Sequence, residues 1–159
     1  MTSTKLISVV VPCFNEQEVL PATHARLTGV MQSLKDFDYE IIYVDDGSRD
    51  ETGEMLRQLQ ASDGRVRVLF LSRNFGHQGA STVGLDAADG DAVVLIDADL
   101  QDPPELIPEM VARWTEGYDV AYGRRRRREG ETAFKLFTAK VFYRLFNRLA
   151  AIDMPLDTG

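Results

Sequence analysis

With 159 residues, 44% of them hydrophobic and 27% charged, the chain can bury one core and is too short for two. No stretch approaches the run of roughly 20 apolar residues that spans a bilayer, and the apolar run before Pro12 lacks the h-region and cleavage site of a signal peptide. The net charge of −7 is segregated: residues 1–122 carry −12, residues 123–148 carry +7 and residues 149–159 carry −2, which argues for a local anionic partner of the basic block and against wide nucleic-acid binding.

Leu6–Val11 is a continuous apolar, β-branched run closed by Pro12, as expected of a strand buried on both faces of a parallel sheet. Cys13 follows it; a lone cysteine forms no internal disulfide, so a reducing compartment is expected. From Glu16 to Leu34 the residues Leu20, Thr23, Leu27, Met31 and Leu34 recur at helical spacing, with Pro21 early enough to be tolerated in the first turn. Tyr39–Val44 is the second strand, and Ser48-x-x-Glu51 predicts a capping box for a helix carrying Met55, Leu56 and Leu59. Val66–Leu71 predicts a third strand, Gly76–Ala88 a helix of small residues, and Ala92–Ile96 a fourth strand that stops at Asp97. Asp102 before Pro103 predicts the cap of a helix that holds Ile107, Met110, Val111 and Trp114, with Met110 and Trp114 in the core. Tyr118–Tyr122 predicts a short fifth strand. Alternating β and α elements of this length predict a mostly parallel sheet flanked by helices, with ligands bound beyond the carboxyl ends of its strands.

Polar residues cluster at three such ends: Pro12-Cys13-Phe14-Asn15-Glu16, Asp45-Asp46-Gly47-Ser48 and Asp97-Ala98-Asp99. The loop after the first strand has no glycine, so the G-x-G-x-x-G dinucleotide fingerprint is absent, as is any G-x-x-x-x-G-K-S/T phosphate loop. Two carboxylates one residue apart at a strand end can share a hard cation with diphosphate oxygens and water. The plainer alternative for each cluster is a solvated turn with a helix cap, the role Ser48 and Asp102 fill most simply. Arg73, Asn74 and His77 either shape the site or serve as loop residues satisfied by backbone.

The blocks Val9-Val10-Val11-Pro12-Cys13-Phe14-Asn15-Glu16, Tyr43-Val44-Asp45-Asp46-Gly47-Ser48-Arg49-Asp50 and Asp97-Ala98-Asp99-Leu100-Gln101-Asp102-Pro103-Pro104-Glu105 closely resemble family 2 glycosyltransferases of the GT-A (Rossmann-like) α/β fold. Within that family, Leu71-Ser72-Arg73-Asn74-Phe75-Gly76-His77-Gln78 and the D-L-Q-D-P-P-E ending resemble the polyprenyl-phosphate branch, which includes dolichol-phosphate mannose synthases and bacterial undecaprenyl-phosphate sugar transferases. The resemblance covers essentially the whole chain. It implies a nucleotide sugar as donor, a UDP-sugar by similarity to the bacterial enzymes, and transfer with inversion to a polyprenyl phosphate. It also implies that Pro12, Asn15, Glu16 and Ala98 line the nucleotide pocket, that Asp45 or Asp46 meets the nucleoside, and that Asp97, Asp99 and Gln101 hold Mg2+ or Mn2+ against the diphosphate.

The run Arg124–Arg128 follows the predicted fifth strand, and the planar donor fork of arginine suits phosphate oxygens. The resemblance places Arg124 on the phosphates, with Arg128 and Lys135 as further phosphate candidates and Asp157 as an acceptor-side candidate. The aromatics that would stack nucleic-acid bases are not interleaved with the arginines. From Glu131 to Ala150, Phe134, Val141, Phe142, Leu145, Phe146 and Leu149 gather on one helical face, with Lys140, Arg144 and Arg148 roughly opposite. Such a helix either packs on the core or lies on an anionic membrane; Phe137, among the basic residues, favours the membrane. The expected division is a nucleotide-sugar-binding core over residues 1–123 and a basic acceptor or membrane side over residues 124–159, at the cytoplasmic face of the membrane. Relatives in this branch continue past the Asp157-Thr158-Gly159 motif, so a chain ending there is expected to be truncated and its own turnover is in question. A polysaccharide or protein acceptor, a nucleotide-sugar-binding or membrane-docking fragment without turnover, and association of copies through the apolar helix remain alternatives.

Overall fold

A computed structural model describes residues 4–123. The chain divides into two compact units, Met1–Asp119 and Val120–Gly159; the fold below is that of the first. Four strands, β1 (Lys5–Cys13), β2 (Phe37–Asp45), β3 (Val66–Phe70) and β4 (Ala92–Leu95), alternate with helices α1 (Leu20–Ser33), α2 (Thr52–Ser62), α3 (His77–Asp86) and α4 (Ile107–Thr115). The sheet is entirely parallel in the order β3-β2-β1-β4. The chain therefore builds outward from β1 to β3 and then returns to lay β4 on the other side of β1. That reversal opens a crevice between the carboxyl ends of β1 and β4, where open α/β sheets bind ligands.

The central position of β1 explains its apolar run, because both of its faces are covered; the run is interrupted by Ser8, which is buried and donates its hydroxyl to Glu40 at 2.6 Å. Ile7, Val9, Val11 and Cys13 alternate onto the side that holds Leu20, Leu27 and Met31 of α1, Leu56 of α2 and Ile107 and Val111 of α4. Val10 points the other way and meets Ile42, Val44 and Ala80 under α3. Helix α3 lies so close to the sheet that a Cβ on Gly84 would come within 2.3 Å of a Val10 methyl and 3.0 Å of a Val44 methyl. Its small residues are thus a condition of contact with the strands. Trp114 packs half-buried on the larger core, under the ammonium of Lys5 at 4.5 Å.

Three sequence expectations need correction. Helix α2 begins at Thr52 without a side-chain cap; the Ser48 hydroxyl instead accepts the Asn15 backbone N–H at 2.9 Å, so a tertiary partner displaces the local capping box. Helix α4 is preceded by a 3-10 turn over Pro104–Leu106, and neither carries a side-chain cap. Tyr118–Tyr122 forms no strand: its apolar residues Tyr118, Val120 and Tyr122 are 58%, 75% and 68% exposed. Alternation yields a strand only where a neighbour supplies ladder partners, and among the described residues nothing pairs with this segment. The predicted helix over Glu131–Ala150 lies outside the described residues. Among the described residues no helix is long and apolar enough to cross a membrane.

Candidate functional site

The crevice at the sheet reversal is a cleft of about 300 Å3. Its floor comes from Pro12 and Cys13 at the end of β1, and its walls from Phe14 and Glu16 after β1, Asp46 after β2, Asn74, His77 and Ala80 around the start of α3, and Asp97, Ala98 and Asp99 after β4. Of the predicted residues, Pro12, Glu16, Asp46, Asp97, Ala98 and Asp99 line the cleft, whereas Asn15, Asp45 and Gln101 stand outside its lining. Arg124, Arg128, Lys135 and Asp157 lie outside the described residues.

The loops after β1 and β2 are stitched together. Asn15 sits at φ 56°, a left-handed conformation that asparagine tolerates better than most residues. Its Oδ1 accepts the Arg49 N–H at 2.8 Å. The Glu16 N–H donates to the Thr52 hydroxyl at 2.8 Å, and the Glu51 N–H donates to the Gln17 side chain at 3.1 Å. Asp45 accepts the Ser48 N–H at 3.1 Å. Asp46 is 2% exposed; one carboxylate oxygen accepts the Phe75 N–H at 2.7 Å and the other the Gly76 N–H at 2.9 Å. Gly47 at φ 69° abuts the Arg73–Asn74 peptide, where a Cβ would come within 2.6 Å of the Arg73 carbonyl carbon. Asp46 and Gly47 therefore clamp the strand-to-helix connection that leads into α3.

The loop after β4 is different. Its middle residue is pinned, because the buried Thr23 hydroxyl donates to the Ala98 carbonyl at 2.6 Å. The flanking carboxylates are sparsely used: Asp97 meets the His77 Nε2 at 2.7 Å, and one Asp99 oxygen accepts the Gln101 N–H at 3.0 Å. Leu100 is held at φ 60°, a strained backbone of the sort that gathers at ligand sites. Partial burial, and then the carboxylates of Asp99, Asp50 and Asp97, hold the Glu16 carboxyl above the usual range. Burial, followed by Glu16 and Asp45, pushes the Cys13 thiol far up, so this cysteine is an inert part of the cleft floor.

Among the described residues no group of three or more His, Cys, Asp or Glu side chains forms a cage for a metal ion. The donor set is instead two carboxylates, Asp97 and Asp99, on an open cleft. That arrangement fits Mg2+ or Mn2+ arriving with a diphosphate, since such ions keep waters and take one or two carboxylates plus substrate phosphates. Sequence reasoning placed His77 only among three residues with a site reading and a loop reading, and it missed Ala80 as a wall. The start of a helix at the carboxyl edge of a parallel sheet was the available signal for His77.

Residues 8–159 match the family model described as Glycosyl transferase family 2. The chain belongs to that family. It is 53% identical over 152 residues to "Uncharacterized glycosyltransferase YkcC" of Bacillus subtilis, covering 96% of this chain and 47% of the relative. It is 42% identical over 153 residues to the "Bactoprenol glucosyl transferase" of Shigella phage SfV, covering 96% of this chain and 50% of the relative. The chain thus spans about half the length of the curated relatives it matches. Among solved structures, the mannosyltransferase PcManGT of Pyrobaculum calidifontis, in complex with GDP-Man and Mn2+, superposes with a TM-score of 0.62 at 20% identity, covering 92% of this chain and 39% of that one. The fold of the first unit is accordingly the GT-A fold of family 2 glycosyltransferases.

Proposed function

We propose that the protein is an inverting glycosyltransferase that moves a sugar from a nucleotide diphosphate donor, a UDP-sugar, to the phosphate of a polyprenyl lipid at the cytoplasmic face of the membrane. The observation that carries this reading is the pair of sparsely bonded carboxylates, Asp97 and Asp99, in a cleft at the sheet reversal where the Asp46 carboxylate, by contrast, is already taken by the Phe75 and Gly76 N–H groups. Family membership and the relatives' glycosyltransferase names support the reaction class, and the phage bactoprenol enzyme supports a prenol-linked acceptor.

In this reaction an oxygen of the acceptor phosphate forms a bond to the anomeric carbon while the bond from that carbon to the donor diphosphate breaks, and the electron pair leaves with UDP. The acceptor oxygen is already anionic near neutral pH, so the protein has to orient it and stabilise the departing charge more than remove a proton. Asp97, Asp99 and Gln101 would hold Mg2+ or Mn2+, and the ion would supply positive charge against the leaving diphosphate. Pro12, Asn15, Glu16, Ala98 and the Asp45–Asp46 pair frame the nucleoside. Arg124, with Arg128 and Lys135, meets the phosphates, and Asp157 serves the acceptor side. The remaining basic residues of the +7 block face an anionic membrane surface.

The test is a UDP titration of wild type and Asp99→Asn, with Mn2+ and again with EDTA. Asn keeps the size of the side chain and removes the charge that a hard cation uses. UDP affinity of the variant should fall with Mn2+ present and match wild type in EDTA; equal affinities under both conditions would remove Asp99 from the site. Incubating membranes that hold the whole protein with a UDP-sugar should give a chloroform-soluble glycosylated product, and sugar found only in polymer would reassign the acceptor.

A further inference from the structure

The contact between His77 and Asp97 is not explained by stability. Both side chains are about half exposed, at 59% and 47%, and exposed ion pairs stabilise a fold little. Yet the backbone that carries the imidazole is held in place from several directions. His77 is the first residue of α3, and the two backbone N–H groups just before it in the chain, of Phe75 and Gly76, are both taken by the buried Asp46 carboxylate. Gly47 lies against the Arg73–Asn74 peptide too closely to admit a Cβ, and Gly84 seats the same helix directly on Val10 and Val44. Helix α3 is therefore fixed from the loop side at its start and from the sheet side near its end. Among the described residues, the hydrogen bond to His77 Nε2 at 2.7 Å is the polar contact made by the Asp97 side chain. An ionised carboxylate only accepts, so Nε2 must carry the proton and donate it.

We propose that His77 is a positioning residue for Asp97: its Nε2–H holds one carboxylate oxygen so that the other is presented to the divalent cation that accompanies the donor. The inference rests on the metal-dependent reading of Asp97 and Asp99 above. It deepens that reading by adding a side chain from α3 that has no place in the Asp-Ala-Asp motif itself. Outer residues that orient metal ligands characteristically set the affinity of the ligand set without touching the metal. On this view the carboxylate of Asp46 acts at a distance. It fixes the backbone that fixes His77, and His77 fixes Asp97.

The test uses the whole protein with UDP present, and follows free Mn2+ by its electron paramagnetic resonance signal for wild type, His77→Leu, His77→Gln and Asp99→Asn, with a thermal melt of each. His77→Leu removes the donor from an exposed position and should weaken Mn2+ binding by about tenfold while leaving the melting temperature and the metal-free UDP affinity unchanged. His77→Gln sets an amide N–H close to where Nε2 stood and should recover most of that loss. Wild-type Mn2+ affinity in His77→Leu, with Asp99→Asn impaired, would overturn the role of His77 and leave the metal site standing. Wild-type affinity in Asp99→Asn would overturn the metal reading and this inference with it. A lowered melting temperature in His77→Leu that His77→Gln does not repair would make the residue a structural one and also overturn the proposal.

Discussion

The loops on either side of the cleft are built from the same acidic and small residues but used in opposite ways. After β1 and β2, Asn15, Ser48, Asp45 and Asp46 spend their side-chain oxygens on one another's backbone and on the Phe75–Gly76 peptides. After β4, Asp97 and Asp99 have one close partner each. A buried donor or acceptor must be satisfied, so the first side reads as a scaffold completed within the protein. The second has acceptor capacity directed at a cleft, and its charge is left to be matched by something from outside. An Asp-Asp and an Asp-x-Asp motif of equal appearance thus differ in what they are for.

This contrast makes stability and binding separable. The largest effect on folding is expected from Asp46→Ala, which leaves the Phe75 and Gly76 N–H groups without their acceptor; at ~1–3 kcal/mol for each such group the loss is roughly 4 kcal/mol, measurable as a lower urea midpoint at constant slope. Gly47→Ala comes next. A left-handed alanine costs ~1–2 kcal/mol before the contact with the Arg73 backbone is counted, so the same measurement should show a loss of roughly 2 kcal/mol. On the open side, Asp99→Asn should change stability by no more than about 0.5 kcal/mol while impairing metal-dependent UDP binding. If Asp46→Ala were as stable as wild type, or Asp99→Asn as damaging as Asp46→Ala, the division into scaffold and open side would fail.

How far the sequence carried this picture follows from the range of the forces involved. The strands were legible because β1 and β2 are covered on both faces, and double burial leaves a mainly apolar signature in the chain, interrupted by Ser8 and Glu40, which bond to each other. The location of the cleft was legible because polar clusters at the ends of parallel strands have few other places to go. What each carboxylate does was not legible. Asp46 turns away from solvent because residues 75 and 76, some thirty positions later, bring two N–H groups to it, and no local pattern records that encounter. Ser48 lost its predicted capping role for the same reason, to the Asn15 N–H. The alternation of Tyr118, Val120 and Tyr122 was a true pattern without a ladder partner among the described residues.

The smallest expected effect concerns protons on the scaffold side, where burial should disfavour charge. His24 of α1 rests its Nδ1 3.0 Å from the hydroxyl of fully buried Tyr43. Burial holds the His24 pKa below its ordinary value, opposed by the charge of Asp63. The unfolded chain therefore takes up this proton at a higher pH than the folded one does. Stability from neutral His24 is fully present above the unfolded pKa, near 6.5, and is lost as the pH falls through the lower folded value. His24→Gln keeps a polar partner for Tyr43 but cannot titrate. The melting temperature of wild type should fall relative to that of His24→Gln as the pH is lowered from 7 to 5, with the two differing by a constant amount above pH 7. A constant difference across the whole range would mean that His24 keeps its solvent-like proton affinity in the folded protein, and that the scaffold side is wetter around β2 than its buried Tyr43 implies.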